Sequence, residues 1–197
     1  MVATIVTTRF NEETYYNNYA YRKKNQDKFA CIYCSPCELS CKIAYGTFVY
    51  VIEMNNSTNR ILGIGLIRNK YETTKYYKVH SHGNWNRYIY IGKYFISRDF
   101  LLLSNPAFLY TLEDVLFKGK THSKRGNGFT RLPEMLVLQK KKEGIDILHE
   151  IQRYFTPIEP KETKPKEIDI EPKETKPKEI DIEPKETEPN EINREKQ

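Results

Sequence analysis

From Glu159 the chain reads EPKETKPKEIDI, repeats that unit without change, and then runs into EPKETEPNEINREKQ. Each twelve-residue unit carries two prolines, alternating charges, and isoleucine as its apolar residue. Such a unit cannot bury enough surface to offset its ordering entropy. Residues 157–197 are therefore expected to form a disordered tail with polyproline-II leanings. The fold is confined to residues 1–156, which hold all nine glycines and all fifteen tyrosines, while seven of the ten prolines lie at or after Pro157. The tail reads as a spacer or as an arm that docks a protein partner.

Charge divides at the same boundary. Residues 158–197 hold 9 basic and 13 acidic residues, which leaves 23 basic and 13 acidic residues before them. A body this basic points to an anionic partner, RNA or DNA first, with plain solubility as the alternative. No stretch approaches about 18 consecutive apolar residues, so neither a transmembrane helix nor a membrane partner is expected. The start, MVATIVTTRFNEET, lacks a basic segment followed by an apolar run, so no secretory signal is expected. Four cysteines within eleven residues also make a poor disulfide framework. These features describe a reduced, intracellular chain of the cytoplasm or nucleus.

Hydrophobic pattern and punctuation give an α+β domain. The β-branched run over residues 2–8 predicts a first strand. Asn11 then caps a helix that carries Tyr15, Tyr16 and Tyr19 and closes on Arg22, Lys23 and Lys24. Strands are predicted over residues 29–35, 47–54, 60–68, 76–81 and 87–97. Asn105, Pro106 and Gly119 punctuate a helix with Leu109, Leu112 and Leu116 as its stripe, and a final helix shows Ile145, Leu148, Ile151 and Phe155. Five or six strands with helices on one side predict a small, partly closed β-barrel flanked by helices.

Cys31, Cys34, Cys37 and Cys41 follow C-x2-C-x2-C-x3-C, the spacing of ferredoxin cluster ligands. That pattern calls for eight cysteines and a following proline; here there are four, and Lys42 follows Cys41. A zinc site would join Cys31 and Cys34 to His80 and His82, whose rings share a face if they lie on a strand. Buried thiols acting as small hydrophobes are the third reading, and the one favoured here. No cofactor is expected.

Two further stretches invite chemistry. In YVIEMNNSTNRILGIGLIRNK a strand ends in the polar turn at Asn55 and Asn56 and returns with Ile61, Gly63, Gly65 and Ile67 on one face. Glycines inside a strand mark a bulge or a close approach, by a ligand ring or by a packed element of the chain itself. In HSHGNWNRYIYIGKYFIS the only tryptophan, Trp85, sits between two asparagines just before a strand, where an indole can stack on a base. The order of these segments resembles the PUA-like superfamily, in particular its EVE and YTH branches, across about residues 29–103. It also resembles proteins of large DNA viruses, which would place the chain in a host cell.

The resemblance implies a reader that flips a base, often a modified one, into an aromatic pocket. Trp85 would be the cage residue, Asn55 and Asn56 would meet the base edge, and Gly63, Gly65 and Tyr33 would complete the pocket. Independently of it, Lys118, Lys120, Lys124, Arg125 and Arg131 surround Gly126-Asn127-Gly128, where glycines permit close approach to a phosphate backbone. Two other functional classes remain open. One is a zinc-stabilised or structural protein-interaction module. The other is a nucleotide or nucleic-acid hydrolase, for which Glu53, His80, His82 and His122 are the available acid–base groups, though no spacing joins them into a dyad and no catalytic residue is assigned.

Overall fold

The computed structural model describes residues 4–119 and 122–156. Seven strands and five α-helices follow one another: β1 (Thr4–Phe10), α1 (Glu12–Lys24), β2 (Cys31–Ser35), β3 (Phe48–Asn55), β4 (Arg60–Arg68), β5 (Tyr88–Gly92), β6 (Tyr94–Ser97), α2 (Arg98–Ser104), α3 (Pro106–Phe117), β7 (Thr130–Arg131), α4 (Glu134–Lys142) and α5 (Ile147–Phe155). A short 3-10 turn, Gly83–Asn86, precedes β5. The architecture is α+β. A mixed five-stranded sheet has the order β6-β4-β3-β1-β7, and β2 pairs with β5 in a second sheet. Among the described residues no ladder joins the two sheets into a closed ring.

The central strand β3 is buried along nearly its whole length because both of its faces are covered. On one face Tyr50, Ile52 and Met54 meet Leu109, Leu112 and Leu116 of α3 and Ile147, Ile151 and Phe155 of α5. On the other, Val49, Val51 and Ile67 meet Cys31, Tyr33 and Tyr90 of the small sheet. Helices α3 and α5 therefore lie on one side of the large sheet and the antiparallel pair β2–β5 on the other. Contrary to the expectation of helices on one side, α1 packs with β2–β5 through Tyr15, Asn18 and Tyr21. The predicted caps hold: Asn105 Oδ1 accepts the Phe108 amide at 3.1 Å, and Asn11 Oδ1 accepts that of Thr14 at 2.8 Å.

Three departures from the predicted strands have physical causes. The run over residues 87–97 is two strands: β5 pairs with β2 and β6 with β4, so the chain changes sheet at Lys93. Gly92 permits this, since a methyl group there would strike the Leu66 carbonyl. The run over residues 76–81 is not a strand, because the Asn86 amide replaces a partner strand. Its Oδ1 accepts the amides of Val79 and His80, at 3.1 and 2.9 Å, and its Nδ2 donates to the His80 carbonyl at 2.7 Å. Finally, β4 bulges: Glu53 pairs with Gly63 but Met54 with Ile61, so Leu62 is passed over. Ile61 is thereby moved into the helix-side core, away from Gly63, Gly65 and Ile67.

Candidate functional site

The parallel strands β1 and β3 end at one corner of the sheet, where the Asn56 amide donates to the Phe10 carbonyl at 3.0 Å. A cleft of about 180 Å³ opens at that corner. Strand β1 contributes Thr8, Arg9 and Phe10, the start of α1 contributes Asn11 and Thr14, and β2 contributes Cys34. Asn56 follows β3, His80 and Trp85 come from the segment before β5, and Gly126 and Gly128 from the loop over residues 123–130. Sites for drug-sized ligands run to about 300–1,000 Å³, so this space suits a single small planar ring.

Trp85 is half-buried and forms part of the wall. Its position follows from the turn in which it sits: the Trp85 amide donates to the His82 carbonyl at 3.2 Å, while buried Asn86 grips the backbone of Val79 and His80. One asparagine thus fixes both His80 and the indole beside it. Asn56 is fixed from the opposite side, its Nδ2 donating to the Lys124 carbonyl at 2.9 Å. This bond ties the β3–β4 turn to the basic loop.

Two buried polar atoms in this wall have no hydrogen-bond partner among the described residues, His80 Nδ1 and Asn56 Oδ1. Buried polar groups are nearly always paired, and leaving one unpaired costs about 1–3 kcal/mol. His80 is only 6% exposed, and burial pushes its imidazole below its ordinary value, with Glu13 opposing that shift. The ring is therefore held neutral, able to offer either a donor or an acceptor at Nδ1.

Arg9 is the cation of the cleft. Its Nε donates to the Ser123 carbonyl at 2.6 Å, Nη1 to Thr130 Oγ1 at 2.9 Å and Nη2 to Thr7 Oγ1 at 3.3 Å. All three acceptors are uncharged, and no ion pair among the described residues includes Arg9. Gly126, at φ +117°, lets the loop pass close to the guanidinium, and Gly128, at φ +64°, lets it lie against Ser35. Arg9 carries no recognisable sequence signal, because an arginine at a strand end reads as a solvated charge. Asn11 reads only as a cap, and Cys34 as a buried thiol or a zinc half-site ligand.

Of the residues expected to meet a base, Trp85 and Asn56 lie in the cleft together. The others do not line it. Asn55 is buried, and its Oδ1 closes the β3–β4 turn by accepting the amides of Ser57 and Thr58 at 2.9 and 3.2 Å. Gly63 and Gly65 floor no open groove: the Phe95 ring lies over Gly63, while the Tyr33 hydroxyl and Cys31 Sγ lie over Gly65. The glycines answer a close approach by the chain's own layers. Tyr33 is fully buried and donates to Glu53 Oε1 at 2.9 Å. That carboxylate also meets Arg22 at 3.1 Å, and burial raises its pKa despite both partners.

Of the expected backbone contacts, Lys124 and Arg125 lie in the loop that edges the cleft. Lys118 pairs instead with Asp114 at 2.6 Å, and Arg131 with Glu134 at 2.5 Å. Lys120, like the tail over residues 157–197, lies outside the described residues.

The cysteine spacing fails as a metal half-site for a geometric reason. Residues three apart on a strand face opposite ways. Cys31 packs between the sheets with Tyr33, while Cys34 packs with Ile32, Val79 and Ile89. His80 does approach the side of β2 that carries Cys34, but His82 is exposed. No group of three or more metal-ligating side chains converges among the described residues. Cys31 is pushed up to about 12 by burial and by Glu53, and burial raises Cys34 as well, which keeps both as neutral thiols. Cys37 and Cys41 are exposed. Nor do Glu53, His80, His82 and His122 form a dyad: among the described residues no hydrogen bond joins any two of them, and Glu53 sits between the sheets rather than in the cleft.

No helix among the described residues is long and apolar enough to cross a membrane. Compared with protein-family models, curated proteins and solved structures, the chain finds no match.

Proposed function

We propose that this chain is a nucleic-acid-binding module of PUA-like type, which takes one flipped base of a single strand into the Trp85 cleft. The observation that carries this reading is the coincidence, around one small cleft, of the only tryptophan with His80 and Asn56, whose buried Nδ1 and Oδ1 have no partner among the described residues. An aromatic ring beside polar side chains matches what a base offers, a π-face and a polar edge. The strongly basic body and the loop carrying Lys124 and Arg125 fit a polyanion tracking past the opening. The incomplete enclosure of one core by two facing sheets is in keeping with a PUA-like barrel, as is the order of segments around Trp85.

Filter binding of single-stranded RNA and DNA at low salt tests the proposal. Retention is expected, falling steeply as salt rises. Trp85→Ala should weaken binding by about 1–3 kcal/mol, the usual worth of one stacked base, while removing the Arg125 charge should weaken all sequences alike. If neither nucleic acid is retained at low salt, the proposal is wrong.

A further inference from the structure

We propose that Arg9 is the seat of a phosphate of the bound strand, so that the cleft takes a phosphorylated nucleotide unit and discriminates against the bare nucleoside. This rests on the base-binding reading of the same cleft.

The surroundings of Arg9 are incomplete. A guanidinium has five N–H donors and remains charged in proteins. Three of Arg9's donors meet neutral oxygens from β1 and from the 123–130 loop, which fixes the plane of the group. One N–H on each Nη nitrogen is left over. Burial acts against the charge, and no carboxylate offsets it among the described residues. A half-buried cation that is rigidly held yet unpaired is expensive to maintain unless an anion completes it. Planar, pre-oriented N–H groups suit two oxygens of one phosphate.

Two features point to a ligand in this cleft rather than a stray ion on its rim. His80, only 6% exposed, lines the space and its Nδ1 has no partner among the described residues. The charge is also asymmetric across the opening. Glu12 and Glu13 occupy the first turn of α1 and are exposed there, whereas Lys124 and Arg125 immediately precede Gly126 in the loop that packs against Arg9. A phosphate is expected from the side of this loop, where a glycine leaves the guanidinium approachable, rather than from the acidic first turn of α1. The strand should therefore run along the loop, with its base turned inward toward Trp85 and its phosphate on Arg9.

Because Trp85 is the only tryptophan, its fluorescence reports occupancy of the cleft directly. The full-length protein is titrated with the four common nucleosides, with their monophosphates, with inorganic phosphate, and with a short single strand carrying either natural linkages or one neutral methylphosphonate at successive positions. The monophosphates are expected to bind at least about tenfold more tightly than the nucleosides, as hydrogen bonds to a charged group imply. One methylphosphonate position should cause a similar loss. Arg9→Gln should erase both differences and lower the salt slope by about one. The methylphosphonate series uses the unaltered protein, so it stands even if the variant folds poorly.

Equal binding of nucleosides and monophosphates, with no sensitive linkage, overturns the Arg9 assignment and leaves the base slot intact. Tight binding of inorganic phosphate with no nucleoside dependence overturns the nucleotide assignment and leaves an anion site. Failure of every probe, oligonucleotides included, to change Trp85 fluorescence overturns the base-slot reading itself.

Discussion

Asn84, Trp85 and Asn86 are neighbours in sequence with three different placements: the first is exposed, the second walls the cleft, and the third is buried. Flanking amides on a tryptophan invite the thought that they read a base edge. Asn86 cannot, because Oδ1 and Nδ2 already make three hydrogen bonds to Val79 and His80. Asn86→Ala would leave two buried amides and a carbonyl unpaired, so a loss of about 1–3 kcal/mol is expected in a denaturant titration. Because the same contacts position His80 beside Trp85, nucleic-acid affinity should fall as well, although Asn86 meets no ligand. Unchanged affinity in a destabilised Asn86→Ala protein would mean that the cleft is held by other contacts. Trp85 and Asn56 were legible because each is chemically unusual where it stands, an indole in a polar loop and a paired amide at a strand end. Arg9 was not, and His80 stood out only as a metal or acid–base candidate, since what matters about both is the partner each lacks, and that depends on what the fold brings near.

At the scale of elements, the capped helices α1 and α3 were legible, while α2 and the strand pairing were not. Cap residues act over one turn, so Asn11 and the Asn105-Pro106 pair announce their helices locally. Strand partners come from far along the chain. Nothing local in residues 87–97 says that β5 will join β2 while β6 joins β4, and β7 has only two residues to show. The glycines of β4 illustrate the limit best. Their spacing correctly signals a close approach, but only the fold shows that Tyr33, Cys31 and Phe95 are what approach. Gly65→Ala makes this measurable. Its methyl group would strike the Tyr33 hydroxyl and crowd Cys31, and Tyr33 has little room to move because it is fully buried against Glu53. Overpacking of this kind costs about 1–3 kcal/mol. The expected result is a lowered melting temperature with nucleic-acid affinity retained, since Gly65 does not line the cleft. Lost affinity at unchanged stability would instead place the ligand on the β4 glycines.

For the molecule as a whole, two buried titratable groups pull the pH dependence of stability in opposite directions. Glu53 is held above its ordinary 4.5 by burial between the sheets. Its contribution is fully present below that value and is lost as pH rises through the raised folded value. His80 is held below its ordinary 6.5, again by burial, with Glu13 the one charged group that counters the shift. Its contribution is fully present above 6.5 and is lost as pH falls through the lowered folded value, because the unfolded chain then binds the proton more readily. Comparison with a variant isolates the histidine. His80→Gln keeps a polar side chain but removes the titration, so its stability should fall less than that of the natural protein between pH 7.5 and about pH 5. Melting curves across that range, taken without nucleic acid, supply the measurement. Adding a single strand should make the contrast sharper: a ligand held by neutral His80 stabilises the folded chain most above pH 6.5, and that added stability should decline on acidification only where His80 is present. Parallel curves for the two proteins would show that His80 titrates as it does in the unfolded chain. The imidazole would then be open to water, contrary to its place in the wall of the cleft.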